Sequence, residues 1–464
     1  MKSRSLSCIS LISLLAGNAY AGTINVDFTK NIGTVNSRAF SMDSTEYGSP
    51  HDIVHDQTVY NLIAALHLDA MRIDLQNGGN PELGAGSTSG PGDPWVQAID
   101  STGAKPVIRL HTIGEDDNGA DSGGSAADAQ AMVSRYTANY AAHGLSKPVQ
   151  YYIIGNETNA NDSSGSNFIA FAAGMRSASG GFTLYIGGPA WGWYDEDTMT
   201  GYFANTKGTA GGPDFLDYHQ YGNGGDTDMS ASQLQQELNG GGSDSDGDVL
   251  QYGTVSYQAE IAKLQGDTGL PIECGEWNLT WGSDPAQGQP FNAIWGASVI
   301  GNIVKAGGIS MEYGDSSGGL MGVVSQNDTP MPLYYSYYMF TGGALFQHFG
   351  TNMVLTSVTG DTTVNVQGSN VVQNNTLEVF ASNNPKNIVV INKDPNNTET
   401  GTVNLTGYGS GTMNAWQTTG DGLPAQIATN VAITDGTFTY SLPPYSVTTF
   451  VLGSGTTNGA DRNR

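Results

Sequence analysis

Apolar positions along this chain follow two regimes. Between about residues 38 and 345, short apolar runs alternate with stretches in which apolar side chains recur every three or four positions. The runs Arg38–Asp43, Leu68–Leu75, Lys105–His111, Val149–Asn156, Thr183–Ala190, Asp214–Tyr221, Pro271–Trp277 and Ile309–Asp315 read as strands. Several are almost continuously apolar, as in parallel strands covered on both faces. The stretches Thr58–His67, Ala126–Ala142, Asn167–Met175, Ser256–Leu264 and Phe291–Lys305 have helical periodicity. Eight strands with helices between them, over about 300 residues, predict an α/β fold of the (β/α)8 TIM-barrel type. A doubly wound open sheet is the alternative. It calls for a glycine-rich phosphate loop after an early strand, and no such motif follows one here.

Beyond residue 345 the helical period disappears. Met353–Val358, Thr363–Val366, Leu377–Ala381, Asn387–Asn392, Gly401–Leu405 and Phe438–Leu442 are short strand-like runs separated by Asn, Gly, Asp and Pro. They predict a C-terminal antiparallel β-sandwich over 346–452, closed by a strand in Tyr440–Leu452. The barrel is expected over 22–345, with Thr23–Asp27 pairing with the sandwich, and 453–464 as a polar, disordered tail.

The first residues have a different character. Lys2 and Arg4 precede an apolar stretch from Ile9 to Ala16 and a small-x-small triplet, Ala19-Tyr20-Ala21. This predicts a secretory signal peptide over 1–21, cleaved after Ala21, and a secreted or periplasmic protein. Its apolar stretch is too short to span a bilayer. Cleavage removes Cys8 and leaves Cys274 alone, in a strand-like run where a packed thiol is expected. Composition then narrows the partners. Lys and Arg number 17 against 43 Asp and Glu, for a net charge of -26. Nucleic acids and anionic membranes need a basic face, so neither is expected as a partner. A neutral polysaccharide is compatible with this charge. Nothing in the sequence sets an oligomeric state.

Candidate chemistry lies at strand exits, where barrel active sites form. The fourth barrel strand runs into Asn156-Glu157, and the seventh into Glu276-Trp277-Asn278. Two carboxyl groups brought together across a barrel mouth can cleave a glycosidic bond, one protonating the leaving oxygen and the other attacking or activating water.

Gly155-Asn156-Glu157 and Gly275-Glu276-Trp277-Asn278 resemble the signatures of the retaining clan A glycoside hydrolases. Gly-Glu-Trp-Asn followed by Phe291-Asn-Ala and a long helix is most similar to family 39, which contains β-xylosidases and carries a β-sandwich. Families 30, 51 and 79 are further possible relatives. The departure is Thr158, where families 39 and 79 usually have Pro. The resemblance implies Glu157 as acid/base, Glu276 as nucleophile and Asn156 as a ligand of the sugar 2-hydroxyl. It also implies a retaining β-glycosidase acting on a polysaccharide or its oligosaccharides, β-xylosidase-like in the first instance. An endo-acting glycanase with an open cleft, and a carbohydrate-binding protein on a degenerate barrel, are the alternatives.

Other residues fit supporting roles. His219 and Tyr221 share a strand face, and Tyr221 is placed to hydrogen-bond Glu276. Arg72 either pairs with the nucleophile or makes a structural ion pair with Asp74 or Asp43. Arg109 and His111 also share a face, for substrate hydroxyls or barrel lining. Trp191 and Trp193 follow strand five, and Trp277 and Trp281 flank the nucleophile; indole faces suit the C–H faces of sugars. No cofactor or metal is called for. The Ser243–Asp248 stretch resembles part of a calcium loop but lacks the downstream Glu, and reads as a solvated acidic loop.

Overall fold

A computed structural model describes residues 20–44, 51–76, 80–81, 92–110, 125–157, 164–240, 252–314, 320–360 and 376–455. His111, Thr158, the Thr363–Val366 run, the Asp244–Asp248 loop, residues 1–19 of the expected leader and most of the expected tail lie outside them. The chain opens with β1 (Tyr20–Thr34) and then builds a parallel sheet. Its strands are β2 (Phe40–Ser44), β3 (Ala70–Gln76), β5 (Lys105–Leu110), β6 (Tyr151–Ile154), β7 (Tyr185–Gly187), β8 (Leu216–Tyr221), β9 (Ile272–Asn278) and β10 (Ile309–Glu312); a two-residue β4 (Asn80–Pro81) pairs with the end of β3. The order β7-β6-β5-β3-β2-β10-β9-β8 leaves β7 and β8 at the ends. Parallel bridges Gly187–Phe215 and Trp191–Tyr218 join those ends and close the barrel. All eight expected strands are present, with ends that differ from the expected ones by a few residues; β2, β3 and β9 start later and run one residue further.

Helices α1 (Gln57–Ala65), α2 (Asp93–Thr102), α3 (Ala126–Val133), α4 (Ser166–Ser177), α5 (Glu196–Thr206), α6 (Ala231–Asn239), α7 (Thr254–Thr268), α8 (Phe291–Lys305) and α9 (Pro332–Thr341) surround the sheet. The helix expected over Ala126–Ala142 is α-helical only to Val133. It continues as a π-helical turn, Ser134–Ala138, and a 3-10 turn, Tyr140–His143. Thr137 Oγ1 donates to the Val149 carbonyl at 2.5 Å and Asn139 Nδ2 to the Ser134 carbonyl at 2.8 Å. Such side-chain bonds compete with the regular helical pattern.

Strand alternation sorts the barrel into an inside and an outside. On β3 and β5, Met71, Ile73, Leu75, Ile108 and Leu110 join the large apolar core shared with the helices. Ala70 and Val107 instead meet Ile153, Phe215 and Met311 in a small apolar layer inside the barrel. Arg72 and Arg109 are next along the same inward faces, so the interior becomes polar toward the C-terminal ends of the strands.

The remaining strands, β11 (Asn352–Thr359), β12 (Leu377–Asn383), β13 (Asn387–Asn392), β14 (Glu399–Thr406), β15 (Gly411–Thr418), β16 (Ala425–Ile433), β17 (Thr437–Leu442) and β18 (Ser446–Leu452), form a second sheet with β1. It encloses its own apolar core, to which Ile24, Val354, Ile388, Val403, Phe438 and Phe450 contribute, and makes the β-sandwich. β1 pairs antiparallel with β11 and parallel with β14. Tyr20 and Ala21, which the expected cleavage would remove, pair with Glu399 and Thr400; the pairing runs on through Asp27. Phe380, Val389, Ile391 and Val447 of the sandwich join the barrel's core beside α8 and α9, so the two parts share one apolar interface.

Candidate active site

Glu157 and Glu276 reach the same place by different local means. After β6, Gly155 takes φ of 105° and donates its N–H to the Leu110 carbonyl at 2.8 Å. Glu157 then adopts φ of 47°, held by its N–H to the Ala190 carbonyl at 2.7 Å. Left-handed backbone at a residue with a side chain costs on the order of 1 kcal/mol and persists where surrounding structure imposes it.

Glu276 depends on an irregularity. The pairing of β8 with β9 shifts between Tyr218–Cys274 and His219–Glu276, so Gly275 is an extra, bulged residue. Without it, strict alternation would point Glu276 outward with Cys274. The bulge turns Glu276 inward and Trp277 outward. Only glycine fits there: a Cβ on Gly275 would lie 2.0 Å from Asp217 Oδ1.

Side chains from three other barrel strands, β3, β5 and β8, hold the Glu276 carboxylate. Arg72 Nη2 donates to its Oε1 at 2.7 Å and Arg109 Nη1 to the same oxygen at 2.5 Å. Tyr221 OH donates to Oε2 at 2.9 Å. Each arginine is itself anchored: Arg72 to Asp43 at 2.6 Å, and Arg109 to Asp74 through both its Nε, at 2.6 Å, and its Nη2. Burial opposes ionisation of Glu276 and is the largest single influence on it. His219, Arg109 and Arg72 together outweigh burial and hold the carboxyl down at about 2. Burial pushes Asp43 the other way, up to about 6, with Arg72 offsetting part of the rise.

His219 joins the pair. Its Nδ1 lies 3.0 Å from Glu157 Oε1 and 3.4 Å from Glu276 Oε2. One carboxylate oxygen of each Glu and a ring nitrogen of His219 all lie within 4.8 Å of one another. Those three groups could each offer an atom to a cation, but two guanidinium groups already neutralise Glu276. His51, Asp56 and Asp328 make a second such group elsewhere, in which Asp56 also caps α1.

The other expected site residues divide. Tyr221 bonds Glu276 as expected. Arg72 takes both of its readings at once, pairing with Glu276 and with Asp43. Arg109, expected to meet substrate or line the barrel, is a second clamp on the nucleophile candidate. Asn156 adjoins Glu157, and its buried Oδ1 has no hydrogen-bond partner among the described residues. Two tryptophan expectations are corrected. Trp191 and Trp277 are 1% and 0% exposed. Trp191 packs edge-on against Tyr202 of α5, and Trp277, turned outward by the bulge, donates to Ser310 Oγ at 3.0 Å. Neither presents a face to a substrate. Trp193 and Trp281 are 50% and 61% exposed. Sequence reasoning missed Tyr313, just after β10, whose ring lies 6.3 Å from that of Tyr221; burial and then the charge of Glu276 raise its phenol. An aromatic at the eighth strand's exit was the available signal.

The class of the fold is clear from solved structures: a barrel with an attached sandwich, as found in carbohydrate-cleaving enzymes. No family profile matches the chain, and no curated protein sequence does. Similar structures include a GH51 arabinofuranosidase from Xanthomonas axonopodis pv. citri, with TM-score 0.69 and 12% identity over 94% of this chain and 100% of the other. A bifunctional glucanase-xylanase from a metagenome library has TM-score 0.66 and 16% identity, covering 94% and 99%. A family 44 xyloglucanase from Paenibacillus polymyxa has TM-score 0.62 and 14% identity, covering 94% and 100%. Identities this low establish a shared fold.

Proposed function

We propose that this protein is a glycoside hydrolase that cleaves β-glycosidic bonds of a polysaccharide or its oligosaccharides with retention of configuration. The observation that carries the reading is the convergence of Glu157 and Glu276 on His219, with carboxylate oxygens within 4.8 Å. A retaining mechanism needs carboxyl groups about 5–5.5 Å apart, and an inverting one about 6.5–9.5 Å, to admit a water. The close approach here favours retention. In this reading Glu276, kept ionised by Arg72, Arg109, His219 and Tyr221, attacks the anomeric carbon. Glu157 protonates the leaving oxygen, and then takes a proton from the water that hydrolyses the glycosyl-enzyme. Asn156 meets the sugar at the cleavage site. The intact carboxylate pair speaks against a degenerate, purely binding barrel.

The family reading broadens. Family 51 is among the relatives that the sequence suggests, and it is named among the similar structures; family 39 has no such support. Those structures carry arabinofuranosidase, glucanase-xylanase and xyloglucanase names, so xylose keeps no priority. The leader-like N-terminus supports an exported enzyme.

A panel of aryl glycosides and polysaccharides tests this reading. Glu276→Ala is expected to abolish turnover, with azide partly restoring it and yielding a glycosyl azide. Glu157→Ala should lose far more rate on substrates with poor leaving groups than on activated aryl glycosides, which need little protonation. Equal losses on both substrate types would reject these roles.

A further inference from the structure

Beside the catalytic pair, a cleft of about 380 Å³ opens between the segments that follow β7, β8 and β9. Trp193 and Trp281 line it, with Tyr221, Asn223, Gln236 and Glu237. Tyr221 belongs to both places. Its hydroxyl bonds Glu276, while its ring meets Trp281 edge-on at 5.8 Å. A ligand in the cleft would therefore continue directly from the nucleophile.

The position of Trp281 is set by backbone. Its N–H donates to the Gly224 carbonyl at 2.9 Å. Its ring lies so close to the loop that a Cβ on Gly225 would sit 2.5 Å from the indole nitrogen. One side of the indole rests on glycine backbone, and the ring remains largely open to solvent. An apolar ring fixed in this way, with a second exposed indole lining the same cleft, suits the C–H face of a sugar ring.

The polar lining is as informative. It consists of amides, phenols and one carboxyl group, with no Lys or Arg among the lining residues. Glu237 is 3% exposed and accepts the Gly253 N–H at 3.1 Å, its one hydrogen-bond partner among the described residues. Burial pushes its carboxyl up to about 8, against which the Gly253 bond is a small offset. The group is therefore largely protonated at neutral pH and has an O–H to donate. A uronic acid would bring a second acid to a site with no counter-ion among its described lining residues.

Resting on the glycosidase reading above, we propose that this cleft is a subsite for a neutral sugar unit adjoining the cleavage site, with Trp193 and Trp281 as its apolar walls and Glu237 as a hydroxyl-binding donor. The ligand class is an uncharged pentose or hexose oligomer, and the enzyme is fitted to chains longer than one residue.

The test uses the full chain carrying Glu276→Gln, so that substrates persist. Xylo-, cello- and arabino-oligosaccharides of two to six units, and an oligogalacturonide series, are titrated by calorimetry. One neutral series should tighten as units are added, and the oligogalacturonides should bind at least tenfold more weakly. Adding Trp281→Ala, a change at an exposed side chain that leaves the core intact, should weaken the longer oligomers about tenfold. Adding Glu237→Gln, which keeps a donor without a charge, should preserve most of the affinity that Glu237→Ala loses. Failure of every oligomer to bind the Glu276→Gln protein, together with no turnover by the parent, would sink the glycosidase reading and this subsite with it. Turnover by the parent with length-dependent binding indifferent to Trp281→Ala would overturn the subsite alone. Equal loss from Glu237→Gln and Glu237→Ala would overturn the donor role, and oligogalacturonide binding as tight as the neutral series would overturn the sugar class.

Discussion

Tyr221 makes a single hydrogen bond to Glu276, yet the bond has a measurable consequence. A donor to a carboxylate stabilises the charged form, so removing it raises the pKa. In Tyr221→Phe the nucleophile candidate should titrate above its present value of about 2. The acidic limb of kcat/KM, which reports the free enzyme, should then move to higher pH by roughly half a unit to one unit. A pH profile of both proteins on one aryl glycoside checks this. An unmoved limb would assign it to another group. The residues of the site were unequally legible. Glu157 and Glu276 stood out because Glu is scarce in this chain and both sit at strand exits, and Tyr221 because it shares a strand face with His219. Arg109 and Glu237 did not stand out as they act here. The clamp on Glu276 crosses from β5 to β9, and the second cleft is assembled from three separated segments. Trp277 misled because the period of two that places a strand residue inside or outside fails at a bulge.

The bulge in β9 links element to site. Gly275→Ala puts a methyl group against the carboxylate of Asp217, a fully buried residue. Overpacking of this kind costs about 1–3 kcal/mol. The expected result is a lower thermal midpoint and an activity loss larger than destabilisation alone explains, because restoring regular alternation rotates Glu276 out of the barrel. Full activity in a folded Gly275→Ala protein would mean that the bulge does not aim Glu276. All eight barrel strands are present, and α8 spans the expected Phe291–Lys305; it is buried on almost every side, and its 15-residue apolar length rather than a polar face marks it as a helix. The misses have physical reasons. Helix α9 is Pro-Leu-Tyr-Tyr-Ser-Tyr-Tyr-Met-Phe-Thr and is buried all round between barrel and sandwich, so it has no polar face to mark a period. Strand β16 is mostly exposed, Ile427 and Val431 included, so its alternation does not mark a buried face. Helix α6 did carry a readable start, since Ser230 and Gln233 form a capping box.

At the scale of the whole molecule, a net charge of -26 coexists with acids buried in apolar surroundings. Glu260 of α7 is fully buried and accepts the Tyr218 hydroxyl at 2.9 Å. Burial raises its carboxyl to about 8, with the Tyr218 bond opposing the rise. Asp217 is raised to about 7, by burial first and then by Glu273. In the unfolded chain such groups release their protons near pH 4–4.5. Between that pH and about 8 the folded protein therefore holds protons that the unfolded chain has lost. Stability must fall as pH rises through this window, by up to about 1.4 kcal/mol per pH unit for each such group, and level off above it. Glu276 has the opposite sign, but its contribution is lost only as pH falls from about 4.5 toward 2, so it leaves the neutral window unaffected. Glu260→Gln keeps an oxygen to accept from Tyr218 and removes one titration. Its thermal midpoint should decline less steeply than the parent's between pH 5 and 8, and the advantage over the parent should be greatest at the upper end. Parallel curves for the two proteins would mean that Glu260 is ionised in the folded state and that the α7–β8 contact contains a charge.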